Sequence, residues 1–88
     1  MKMKTENVFL DFDQLKTTTQ YFILGYEKDG ALISGIFIND KLARYSRAEL
    51  CAEIKEAQKD CPSLLWRPIP YVPQSGQVHN ILVATGRL

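Results

Sequence analysis

Asp11 and Asp13 stand two residues apart in a stretch that alternates apolar and polar side chains, so a β-strand would turn both carboxylates to one face. Two carboxylates side by side would seat a hard cation such as Mg²⁺. No third carboxylate follows at a recognisable spacing, and a solvated strand end is the simpler reading. Cys51 and His79 form the one thiol–imidazole pairing worth weighing. A nucleophilic cysteine needs a base within hydrogen-bond reach and a lowered pKa. Cys51 falls on the apolar stripe of the helix described below, which marks a buried, inert thiol. Cys51, Cys61 and His79 do not make the four-donor set of a zinc site. There is no Gly-rich phosphate loop, Ser-His-Asp set or HExxH motif. With a single histidine, no acid–base machinery is legible. The expectation is a non-enzymatic chain with no catalytic residue, cofactor or metal.

Two groups of residues point to binding instead. Lys41, Arg44 and Arg47 cluster just before and at the expected helix start. Cations there oppose the helix dipole and would suit a phosphate on the free N–H groups, with Tyr45 stacked on a base. A solvated surface explains the same three charges more simply. Trp66-Arg67-Pro68 and Ile69-Pro70-Tyr71 read either as a docking strip or as a proline-stiffened crossing that packs Trp66 into the core.

The elements that would carry these residues follow from periodicity. Residues 1–6 are polar and read as a flexible N-terminus, and residues 7–86 as one domain. Val8, Leu10 and Phe12 alternate and predict a short strand over 7–12. Residues 20–26 and 31–38 are β-rich apolar runs around Glu27-Lys28-Asp29-Gly30, a strong hairpin signature. A two-residue loop would place Tyr26 opposite Ile33; a three-residue loop with a bulge shifts the pairing by one. Asn39-Asp40 ends the hairpin.

Ser46 with Glu49 three residues on forms a capping box, and Tyr45 can pack on Leu50 as a hydrophobic staple. Leu50, Cys51, Ile54, Ala57 and Cys61 then recur at helical spacing, and Pro62 stops the run, so a helix is expected over about 46–60. Pro62, Pro68, Pro70 and Pro73 make 62–76 an extended edge segment, with Trp66-Arg67 its most strand-like part. Residues 77–85 read as a last strand. The expected fold class is α+β: a small antiparallel β-sheet with one amphipathic helix packed on one face, in the order β-β-β-α-β-β.

This architecture leaves a face without cover. Phe22, Leu24 and Tyr26 point to one side of the hairpin, and Tyr21 and Ile23 to the other. One helix, about 10–12 Å across, covers about half of one face of a four-stranded sheet roughly 19 Å wide. The proline-rich segment could fold over it; left open, an apolar face marks an interaction site. The leading expectation is therefore a small protein-binding module: an adaptor, regulator or inhibitor that meets another protein or a second copy of itself as a homo-oligomer. Tyr21, Ile23, Trp66, Arg67 and Tyr71 are its candidate contact residues. The alternative is a nucleic-acid-binding regulator using Lys41, Arg44, Tyr45 and Arg47.

Composition narrows the setting. The 88 residues hold 11 basic and 10 acidic side chains, without the positive excess of a chain that lives on phosphate backbone. Cys51 and Cys61, ten residues apart on one helix, would lie about 15 Å from each other, too far for a disulfide. Free thiols fit a reducing compartment. No leader and no run long enough to span a membrane are legible, so the cytoplasm is expected and no membrane partner. Small size without a catalytic signature also fits the adaptors and inhibitors that phage and mobile-element genes encode.

Overall fold

The computed structural model describes residues 15–88. The strand expected over 7–12, and with it Asp11 and Asp13, lies outside the described residues. The fold is α+β, an antiparallel sheet with a helix on each face.

Strand β1 (Gln20–Tyr26) is the centre of the sheet. Its residues 21–25 are all buried, which is why its apolar run is continuous rather than alternating. It leads into β2 (Leu32–Gly35) through the expected turn. The Glu27 N–H donates to the Ala31 carbonyl at 2.9 Å, and the Gly30 N–H to the Glu27 carbonyl at 2.8 Å. Asp29 Oδ1 accepts the Ala31 N–H at 3.0 Å, and Gly30 adopts φ +95°. The bulged alternative is the one built. Tyr26 pairs with Leu32 and Gly25 with Ser34, so Ile33 is the extra residue.

The chain then leaves β1 for a small excursion. β3 (Phe37–Ile38) and β4 (Lys41–Leu42) form their own hairpin. Asn39 and Asp40 both take positive φ, 53° and 64°, the pattern of the tight turn whose twist matches its strands. Asn39-Asp40 therefore opens a second hairpin where the sequence suggested only an end. Gly35 makes the departure possible: a Cβ there would meet Leu24 Cδ2 at 3.1 Å and Leu42 Cδ1 at 3.2 Å. β5 (Tyr45–Ser46) rejoins β1 on the same side as β2 but at its other end, pairing Tyr21 with Tyr45.

β6 (Leu65–Pro70) runs antiparallel along the opposite side of β1, from Tyr26 opposite Leu65 to Tyr21 opposite Pro70. The Tyr71 N–H donates to the Gln20 carbonyl at 2.8 Å. Hydrogen-bonding direction alternates along a strand, so the ring nitrogens of Pro68 and Pro70 face outward and the ladder to β1 loses no donor. Among the described residues the proline-rich segment is an edge strand, as its composition predicts.

Helix α1 (Arg47–Asp60) packs on one face. Glu49 accepts from the Ser46 N–H at 2.8 Å and from its hydroxyl at 3.0 Å, tying the first turn as expected. Leu50, Ile54 and Ala57 are buried against Tyr21, Ile23, Tyr45, Leu64 and Trp66. Tyr45 and Leu50 share that cluster, as the staple requires. Cys51 departs from expectation: it is exposed, on the flank of the stripe.

The last strand expected, over 77–85, is instead helix α2 (Gln77–Ala84). Its β-branched content suggested strand, but tertiary and capping terms win. Val78, Ile81, Leu82 and Thr85 recur at helical spacing. Gly86 at φ +78° closes the helix: its N–H donates to Val83 O at 3.1 Å and the Arg87 N–H to Leu82 O at 2.8 Å. At the other end Gln77 is anchored to β6, its amide donating to Pro70 O at 2.8 Å. α2 lies on the sheet face opposite α1, with Ile81 buried on Phe22 and Leu24. Among the described residues no helix is long and apolar enough to cross a membrane.

Candidate functional site

The face expected to stand open is covered by α2, but only along its middle. Ile81 is the single buried side chain of α2. A groove of about 290 Å³ runs between α2 and the β3–β4 hairpin. A second, of about 430 Å³, runs along the other side of α2, over Leu24, Tyr26 and Ile69.

The first groove collects residues from three elements. Phe22 is its floor, Leu42 one wall, Val78 and Leu82 the other, and Tyr71 one end. Lys41, Arg44 and Asp40 stand at its rim. The excursion hairpin brings Lys41 there, and the link from β4 to β5 brings Arg44. Arg44 lies 4.6 Å from the centre of the Tyr71 ring, whose edge meets Phe22 at a 5.5 Å centroid distance. Arg87, just past the α2 cap, rests 3.7 Å over the Phe37 ring and pairs with Asp40 at 3.8 Å. That strap ties the end of the chain to the hairpin and draws on the Asp40 carboxylate. Among the described residues neither Lys41 nor Arg44 has a carboxylate partner.

The expected contact residues divide between core and surface. Tyr21, Ile23 and Trp66 are buried beneath α1, each less than 5% exposed, and have no side-chain area to offer a partner. The Trp66 indole N–H donates to the Cys61 carbonyl at 3.1 Å, which fixes it as core. The crossing alternative for 62–76 is therefore the one Trp66 follows. Arg67 is exposed and Tyr71 half-buried, both on the α2 side, with Arg67 5.7 Å from the centre of the Tyr26 ring. Burial pushes the Tyr26 phenol above its ordinary value, and Arg67 draws it part of the way back.

The nucleic-acid set also divides. Lys41 and Arg44 reach the groove, whereas Tyr45 is buried under α1 and cannot stack on a base. Burial raises the Tyr45 phenol, and Glu53 and Glu49 add to the rise. Arg47 belongs to the first turn of α1, where its guanidinium donates to Leu15 O at 3.5 Å. Cys51 on α1 and His79 on α2 stand on opposite sides of the sheet, so the thiol–imidazole pair does not assemble. Among the described residues no three His, Cys, Asp or Glu side chains gather at one place.

The groove is not legible in the sequence, where the β-branched content of 77–85 reads as a strand. The Gly86 stop and the 78-81-82-85 spacing were the signals for the helix that forms its wall. No protein-family model, curated protein or solved structure matches the chain.

Proposed function

We propose that the chain is a small non-enzymatic binding module that engages another protein through the α2 side of its sheet. The observation that carries this reading is the incomplete cover of that face: α2 buries one side chain and leaves an apolar groove on each flank. Val78, which lines the first of them, stays 38% exposed. Apolar surface gathered on one side, with polar residues at its rim, is the pattern of an interaction site rather than of a solvated face.

The nucleic-acid reading is weaker on the same geometry. The aromatic rings near the basic rim are already engaged, Tyr71 by Arg44 and Phe22, and Tyr45 by the core. Single-strand binding needs free ring faces for bases to stack on.

A photo-crosslinking residue placed at Val78, and separately at Gln58, exposed on α1 across the sheet from α2, tests the reading in cells. A discrete protein adduct from position 78 and none from 58 supports it. Equal labelling from both positions, or none from either, overturns it.

A further inference from the structure

The two sides of the molecule differ in charge as well as in apolar surface. Residues 61–88, which supply β6 and α2, contain Arg67 and Arg87 and no acidic residue. The β3–β4 hairpin and its link to β5 add Lys41 and Arg44 against Asp40, which Arg87 already pairs. α1 by contrast carries Glu49, Glu53, Glu56 and Asp60 against Arg47, Lys55 and Lys59. A near-neutral chain thus keeps a cationic α2 side, and two of its cations stand over an apolar trough. At about 290 Å³ the trough falls at the lower end of pockets that hold small molecules, roughly 300–1,000 Å³. That size takes one or two side chains.

We infer that the groove between the β3–β4 hairpin and α2 binds a short acidic–apolar segment of a partner protein. One large apolar side chain enters between Leu42, Val78 and Leu82, and a neighbouring carboxylate meets Lys41 and Arg44. The inference rests on the binding reading above and deepens it by naming the partner's chemistry. Charge complementarity selects the occupant: the trough would accept any apolar side chain, but its cations lack carboxylate partners among the described residues. Phosphate is a poorer match, because most of the lining side chains are apolar and Arg44 already lies over the Tyr71 ring.

The test uses the full chain and a fluorescein-labelled peptide Ser-Asp-Glu-Trp-Leu-Glu-Asp-Ser, read by anisotropy at low and moderate salt. Its amide counterpart (Asn and Gln for the acids) and a labelled thymidine oligonucleotide serve as comparisons. The acidic peptide should bind more tightly than the amide peptide, and salt should narrow the gap. Lys41→Gln should weaken the acidic peptide about two- to fivefold, the range of an exposed ion pair, and leave the amide peptide unchanged. Val78→Glu, a change at a surface position, should abolish both.

Equal binding of the two peptides, or indifference to Lys41→Gln, overturns the inference, as does tighter binding of the oligonucleotide. Self-association that Val78→Glu abolishes and the peptide cannot displace would make a second copy the occupant and also overturn it. The chain's own residues 8–13, VFLDFD, have the same acidic–apolar composition. Tighter peptide binding by an Asp11→Lys, Asp13→Lys variant would make that segment the occupant, against a partner protein. If the peptides fail while the position-78 adduct persists, the binding reading stands and only the acidic–apolar assignment falls.

Discussion

Gly25 is where β1 comes closest to Trp66, and replacing it with alanine tests the assignment of that tryptophan to the core. A Cβ on Gly25 would lie 3.0 Å from Trp66 Cζ3 and Cη2 and 3.1 Å from Leu64 Cδ1. Two effects oppose each other. Gly25 is not among the residues with positive φ, so its backbone accepts alanine. On backbone grounds alone the change would stabilise by about 0.4–1 kcal/mol, through the lost freedom of the unfolded chain. Forcing a methyl against an indole ring held on its other side by α1 costs about 1–3 kcal/mol. The second effect wins, leaving a net loss on the order of 1–2 kcal/mol. For a domain of this size that lowers Tm by roughly 4–16 °C. Trp66 is the sole tryptophan, so thermal and urea unfolding followed by its fluorescence reports stability and ring environment together. In a Trp66→Phe background, followed by circular dichroism, the ring no longer reaches the methyl and Gly25→Ala should lose most of its effect. A rise in Tm, or an equal penalty in both backgrounds, would refute the reasoning.

Ile81→Ala removes the one buried side chain of α2 and should cost about 2–3 kcal/mol, the lower part of the range for such truncations, because the flanking grooves let the site relax. Amides of α2 should lose hydrogen-exchange protection while those of β1 and α1 keep theirs; uniform loss would show that α2 is not a separately docked element. Glu49→Gln removes a charged acceptor at the start of α1 and should destabilise by about 0.3–1 kcal/mol at low ionic strength, an effect that added salt shrinks. Tyr26 and Tyr45 hold their protons more tightly in the folded chain than in the unfolded one. Their contribution to stability is complete below a pH of about 10 and is lost as pH climbs through the raised values. Phenolate absorbance should show Tyr26 and Tyr45 ionising late, and denaturation at rising pH should show the loss.

The local elements were legible because each is written in contiguous residues. Asp29-Gly30 marks a turn, Ser46 and Glu49 a helix start, and Pro68 and Pro70 an outer strand. What failed was whatever depended on distant packing. Residues 77–84 have strand-like composition, and the contact of Ile81 with Phe22 and Leu24, which no local pattern shows, decides for the helix that the 78-81-82-85 spacing and Gly86 also allow. The two apolar faces of β1 are legible in its sequence. The helix that covers the middle of one of them is not. Trp66 shows the same limit from the other side: a large aromatic in a proline-rich strip suits an anchor, and the glycine opposite it on β1 is what seats it inward. The groove joins residues 22, 40–42, 44, 71, 78 and 82, and no local pattern connects them.

The outward-facing ring nitrogens of Pro68 and Pro70 reach beyond the folding of one chain. An exposed strand edge is ordinarily a template on which further strands can assemble, the first step toward cross-β fibrils. At two alternate positions on the outer edge of β6 there is no N–H for such a strand to bond. Edge-to-edge growth of the sheet is blocked on that side whatever the protein concentration, and fibril nucleation would have to begin elsewhere on the molecule.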